Sequence, residues 1–160
     1  MAEIFITTQI NCAIEIVFDL SRSIDIHLIS TSKTGEKAIA GKTTGLIGLH
    51  EEVTWQARHL FKTRLFTSRI TAMQSPVYFR DEMQKGDFQN FMHEHFFESN
   101  EEGTLMKDRI ILQSPFGLLG RVADAVFLKE YIKKFLIERN RTLKNYAENG
   151  NWKQILINND

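Results

Sequence analysis

Phe91-Met92-His93-Glu94-His95-Phe96-Phe97 is the stretch on which the reading of this chain turns. On a β-strand side chains alternate, so Phe91, His93, His95 and Phe97 share one face and Met92, Glu94 and Phe96 the other. Two imidazoles and two phenyl rings then look into one space. Such a face is too polar for a plain core and too apolar for open solvent. It fits the wall of a ligand cavity, greasy with a few placed polar groups.

The flanking sequence extends this strand into a series. Extended segments are predicted at about 49–59, 63–74, 77–85, 88–98 and 104–113. The breaks between them (60–62, Ser75-Pro76, Gly86-Asp87 and 99–103) have hairpin length, which makes neighbouring strands antiparallel. Upstream, residues 3–10 alternate and form a first strand. Ile14, Val17 and Phe18 then recur at helical spacing between Cys12 and Ser21, with Glu15 in the first turn. Ser23 caps a second short helix running to about Ile29. A short strand near 36–40 precedes a turn bearing Gly41, Gly45 and Gly48.

From about Leu118 the period returns to that of a helix. Val122, Ala123, Val126, Phe127, Ile132, Phe135 and Leu136 form a broad apolar stripe that ends near Tyr146. The segment 147–160 is a tail, either frayed or docked through Trp152, Ile155 and Leu156. Strands in a run followed by a long helix indicate an α+β fold in one domain, 1–146, with a seven-stranded curved antiparallel sheet around the C-terminal helix.

Composition narrows the function classes. Twenty Asp plus Glu balance twenty Lys plus Arg, which argues against a nucleic-acid protein with its usual basic excess. The 160 residues suffice to bury roughly 70% of the unfolded surface without a metal or disulfide. Cys12 is the single cysteine, so no intrachain disulfide forms and a reducing, cytoplasmic location is expected. No apolar run has the length of a membrane span.

The order of elements and particular residues resemble the START/Bet v 1-like superfamily, also called SRPBCC or the polyketide cyclase/dehydrase and lipid-transport group. The resemblance covers roughly 2–146. It is carried by Ile14-Glu15-Ile16-Val17-Phe18-Asp19-Leu20 after a pair of small residues, Val53-Thr54-Trp55, Phe79-Arg80-Asp81-Glu82, His93-Glu94-His95, Met106–Asp108 and the 115–120 segment. Small bacterial single-domain members are the nearest in kind. Such members often have Ala-Pro where this chain has Cys12-Ala13. The resemblance implies a helix-grip fold with a hydrophobic cavity between sheet and C-terminal helix. It implies little about reaction, since one fold hosts many functions.

Alternation gives each strand an inner face. Val53, Trp55, Ala57 and His59 form one set, Phe79, Asp81 and Met83 a second, and Phe91, His93, His95 and Phe97 a third. Met106, Asp108, Ile110 and Leu112 form a fourth. Phe66, Ser68 and Ile70 are the inner choice for the strand at 63–74. The opposite faces carry Glu52, Gln56, Arg58, Arg80, Glu82, Gln84, Lys107 and Arg109 and read as solvent. Trp55, Phe79, Met83, Phe91, Phe97 and Met106 are the candidate apolar contacts of a ligand.

The inner polar set is His59, Asp81, His93, His95 and Asp108. Buried charge must be paired, so these residues either form a satisfied Asp–His network, grip the polar end of a ligand, or do both. His93, His95 and Asp81 are also the candidates for general acid–base catalysis. His93-x-His95, with His59 or Asp81, has ligands suited to zinc, but such pairs mostly do other work. No metal or cofactor is assigned. Cys12 beside a helix N-terminus is expected to have a lowered pKa.

Seven bases (Arg121, Lys129, Lys133, Lys134, Arg139, Arg141, Lys144) face three acids along the final helix. They read as a solvated face, or as one that meets an anionic membrane transiently. The leading expectation is a protein that binds, and so transports or senses, a lipid-like or aromatic/polycyclic small molecule. Its mouth is expected between the second helix and the 41–48 turn. A cyclase- or hydrolase-like enzyme using the His/Asp group is the alternative, and a ligand-free interaction domain the third. Either a monomer or a homodimer fits.

Overall fold

The computed structural model describes residues 1–59, 61–114 and 127–157, and of His59 the backbone alone. The chain runs β1 (Ala2–Ile10), α1 (Ile14–Ser21), α2 (Ile24–Ser30), a short 3-10 turn (Ser32–Thr34) and β2 (Lys37–Gly41). It continues through β3 (Glu52–His59), β4 (Lys62–Gln74), β5 (Tyr78–Lys85), β6 (Asn90–Asn100) and β7 (Gly103–Gln113). Two helices end it: α3 (Lys129–Glu148) and α4 (Trp152–Leu156). The seven strands form one antiparallel sheet in the order β1-β7-β6-β5-β4-β3-β2. Every neighbour except the β1–β7 pair follows in sequence, as hairpin-length breaks require. The fold is the α+β helix grip expected from the sequence, with two short helices after the first strand.

Local chemistry sets the element ends. Ser23 accepts a hydrogen bond from the Ile26 amide at 3.3 Å and so caps α2. Asp25 reaches out from α2 instead: its carboxylate accepts from Thr44 Oγ1 and the Gly45 amide, each at 2.8 Å. Ile24 and Ile47 add backbone bonds of 2.9 and 3.1 Å to Gly45 and Arg22. These bonds lock the 41–48 turn onto α2, contrary to the mouth expected there. The glycines serve the turn itself. Gly41 has φ of 74°, and a Cβ on it would lie 2.2 Å from the Glu52 carbonyl oxygen.

The sheet's inner face matches the alternation. Val53, Trp55, Ala57, Phe79, Phe97, Met106, Ile110 and Leu112 are buried, as are Ser68 and Ile70 on β4. Beneath the sheet, α3 lies against β1, α1 and α2. Leu136, Arg139, Asn140, Leu143 and Ala147 form its buried stripe. The expected helix start near Leu118, with Val122, Ala123 and Val126, lies outside the described residues. Phe127 does not join the apolar stripe: it is exposed, just ahead of the regular helix. Of the tail, Trp152, Ile155 and Leu156 dock on the core that α1 shares with the sheet.

The outer face carries a polar chain across four neighbouring strands. Tyr78 on β5 donates to Glu94 on β6 at 2.8 Å, Arg109 on β7 donates to Glu94 at 3.0 Å and to Glu3 on β1 at 2.7 Å. Burial and the hydrogen bond to the Glu94 carboxylate push the Tyr78 phenol up to about 12. Its neutral form is thus favoured by folding. That stability is complete below the ordinary tyrosine value of about 10 and is lost as pH rises toward 12. Phenolate absorbance will show one of the three tyrosines ionising near 12 in the folded protein, and Glu94→Gln will move that step down. A Tyr78 step that stays put in Glu94→Gln would mean that the bond contributes nothing.

Candidate functional site

The site is built by strand register. The two-residue turn Glu101–Glu102 pairs Asn100 with Gly103, which places His95 opposite Asp108. The β5–β6 register sets Asp81 opposite His93 and Phe79 opposite His95. The side chains of Asp81, His93, His95 and Asp108 therefore meet on the inner face. His93 Nε2 lies 2.8 Å from Asp108 Oδ1, and His95 Nδ1 lies 3.0 Å from the same oxygen. On the other side, Asp81 Oδ2 lies 3.3 Å from His95 Nε2 and 3.9 Å from His93 Nδ1. The two rings are tilted against each other with centroids 3.8 Å apart.

α3 completes the cluster. Asn140 Nδ2 donates to Asp108 Oδ2 at 2.7 Å and lies 3.3 Å from Thr8 Oγ1. Arg139 is buried beside it and donates from Nη2 to the Ser21 carbonyl at 3.1 Å. Its charge reaches Asp81 and His95. Arg139 is therefore not one of the solvated bases expected from the sequence: it is buried. Asn140 is a further site residue not expected from the sequence. The signal was present: positions 136, 139, 140, 143 and 147 continue the helical stripe inward. Lys144 also leaves the free basic set, since its Nζ donates to the Gln9 carbonyl at 2.8 Å.

Burial would raise both carboxyls, but the imidazoles outweigh it. The hydrogen bond from His93 and the close His95 ring hold Asp108 well below the usual carboxylate range, and His95 with the charge of His93 lowers Asp81. Burial and the neighbouring His95 push His93 down. Burial also opposes the charged form of His95, yet Asp108 and Asp81 hold its pKa above the ordinary value. Two carboxylates thus face the Arg139 guanidinium and a His95 whose charged form is favoured, while the neutral form of His93 is favoured. Among the described residues, three buried polar atoms still lack hydrogen-bond partners: His95 Nδ1, which is close to Asp108 but not aligned, Arg139 Nη1 and Asn140 Oδ1.

The apolar candidates divide into two groups. At one end of the grip, Phe18 of α1 sits edge-on against Phe79 and Phe97 at centroid distances of 5.6 and 5.4 Å. Phe79 stacks on His95 at 4.1 Å, and Ser21 Oγ lies 3.5 Å from the Met106 sulfur. Phe79, Phe97 and Met106 thus form part of a filled core. Trp55 is buried, stacked on His27 at 4.1 Å. At the other end, Phe66, Met83, Phe88 and Phe91 are half-buried on the sheet, and Leu128, Ile132 and Phe135 are half-buried on α3 and the turn before it. Phe91 touches Phe66 at 5.2 Å and Phe88 at 5.6 Å. The His59 side chain lies outside the described residues.

Cys12 differs from expectation. Its thiol is pushed up by partial burial, which outweighs the help of the Ala13 amide.

Solved structures place this architecture. TTHA0849 of Thermus thermophilus superposes with a TM-score of 0.74 at 14% identity, over 91% of this chain and 97% of that one. This chain has the START/Bet v 1-like fold. A START superfamily protein of Mycobacterium smegmatis aligns at TM-score 0.69 and 11% identity, covering 92% of this chain and 97% of that one. Ginseng major latex-like protein 151 of Panax ginseng aligns at 0.67 and 13%, covering 91% and 97%. No protein-family model matches the chain, and no curated protein matches it. Within this START/Bet v 1-like frame, the Asp–His cluster sits between sheet and C-terminal helix, beside the half-buried aromatic end.

Proposed function

We propose that the protein binds a hydrophobic small molecule, lipid-like or aromatic/polycyclic, between the sheet and α3. The observation that carries this reading is the half-buried apolar set at one end of the grip: Phe91, which packs on the same cluster as Ile132 and Phe135 of α3, with Phe66 against its ring and Met83 half-buried on β5. Asp81, with a side chain 19% exposed, borders the polar cluster and is the group placed to meet the ligand's polar end. The opposite end is filled by Phe18, so Trp55, Phe97 and Met106 support the site from behind it.

Fluorescent probes of two shapes, a labelled fatty acid and an anilinonaphthalene, will bind saturably. Phe91→Lys will weaken both by at least about tenfold, the effect of losing roughly 1.4 kcal/mol. Phe5→Lys, at an exposed position on β1, will change neither. Equal losses in the two variants, or no saturable binding, would remove the reading.

A second reading is supported by one observation. His95 links the partly exposed Asp81 to the buried Asp108, an arrangement suited to general acid–base chemistry on a bound molecule. The cyclase- or hydrolase-like alternative rests on it. Among the described residues no helix is long and apolar enough to cross a membrane. A cytoplasmic location is proposed from the lone Cys12.

A further inference from the structure

We propose that Asp81, His93 and His95 bind a divalent transition-metal ion of the zinc type. The three donor atoms converge: Asp81 Oδ2 lies 3.3 Å from His95 Nε2 and 3.9 Å from His93 Nδ1, and all three lie within 4.8 Å of one another. A tetrahedral ion with bonds of about 2.0–2.1 Å holds its ligand atoms roughly 3.3–3.4 Å apart. The Asp81–His95 spacing already matches that arrangement, and the other separations close toward it when the ion binds.

A second observation points the same way. The nitrogen that each imidazole does not turn toward Asp81 is turned toward a single atom, Asp108 Oδ1, at 2.8 and 3.0 Å. Outer carboxylates of this kind fix the tautomer and orientation of metal-bound histidines. Asp108 is itself held by Asn140 at 2.7 Å from its other oxygen. On metal loading the His95 Nε2 proton is released to solvent, and His93 Nδ1 and His95 Nε2 then offer lone pairs on the Asp81 side. A slight rotation of the His95 ring, whose Nδ1 is not aligned with Asp108, completes this outer bond on metal loading.

The donor set selects the ion. Two imidazoles and one carboxylate, without thiolate, suit zinc and its first-row neighbours rather than calcium or magnesium. Three protein ligands leave a fourth position open, and the partial exposure of Asp81 gives an entry route. Asp81 and Asp108 neutralise the ion's two charges, which leaves Arg139 as surplus positive charge nearby. Its buried Nη1 has no hydrogen-bond partner among the described residues. That surplus charge favours an anionic oxygen, a hydroxide or a carboxylate, at the fourth position. The site stands whether or not the apolar ligand is bound.

The test uses the whole protein, stripped with a chelator and titrated with Zn2+ and Co2+. The expected result is one ion per chain and a cobalt absorption band in the visible with the intensity of a four-coordinate centre. Asp81→Asn and His95→Gln will each abolish the band. Asp108→Asn, which keeps all three ligands, will weaken binding about 10–100-fold. His50→Asn, at an exposed histidine, will bind as the wild type does. No stoichiometric binding by the wild type overturns the proposal, and so does a band that survives Asp81→Asn. Since the readout is cobalt absorption in stripped protein, failure here leaves the fluorescent-probe result untouched.

Discussion

Asp108→Leu will lower the unfolding free energy by about 3–5 kcal/mol, the cost of removing one partner from a buried charge network. Asp108 has a fully buried side chain and takes contacts from His93, His95 and Asn140 at 2.8, 3.0 and 2.7 Å. Leucine has similar bulk, so the cavity term is small and the loss is electrostatic. His93 Nε2 loses its acceptor, Asn140 Nδ2 keeps only Thr8, and the positive charge around Arg139 and His95 loses one of its two carboxylates. Asp81→Asn is the contrast. Asp81 retains solvent contact, so water takes over part of its role and the cost stays near 1–2 kcal/mol. Denaturant unfolding of the two variants measures the difference. Equal costs would mean that the cluster is not organised around Asp108. A stabilised Asp108→Leu would show the charges to be dispensable, as some buried ion pairs are.

Phe18→Ala will cost about 3–5 kcal/mol, the usual range for removing a buried phenyl ring. Phe18 is 1% exposed and contacts Phe79 and Phe97 edge-on from α1, while the Arg22 guanidinium lies 5.6 Å from its ring centroid. It fills the closed end of the grip, where backbone from α1 and sheet leaves little scope for collapse. The expected fall in Tm is roughly 6–20 °C for a domain of this size. The same variant opens a void beside Phe79 and Phe97, so it will bind small aromatic molecules that the wild type excludes. Xenon or benzene rescue of the Tm measures that void. A loss below about 1 kcal/mol would mean that the ring is not a packed plug.

Much of the fold was legible because hairpin connections convert local alternation into sheet order. Once the breaks were short, β3 to β7 could pair only with their sequence neighbours, and the inner faces followed from period two. The Asp81, His93, His95 and Asp108 group was legible for the same reason, since each residue falls on an inner face. Which atom meets which was not. That depends on register between strands and on α3, an element far away in sequence.

Arg139 and Asn140 show how the site was under-read. A charged residue on a helix is ordinarily solvated, so Arg139 was counted with the surface bases although its position continues the buried stripe from Leu136 to Leu143. The closed end was misjudged for a related reason. Ile14, Val17 and Phe18 announced an amphipathic helix, but spacing alone does not say that Phe18 enters the space between sheet and C-terminal helix. The expected mouth at 41–48 failed because the glycines were read as freedom, whereas Asp25 ties that turn down through Thr44 and Gly45.

Native mass spectrometry of the intact chain after incubation with an organic-solvent extract of cells tests the ligand-binding account most directly. The account predicts an apolar small-molecule adduct at one per chain, released on denaturation and absent from Phe91→Lys. A bare wild-type mass under those conditions, or an adduct that Phe91→Lys retains in full, would contradict it.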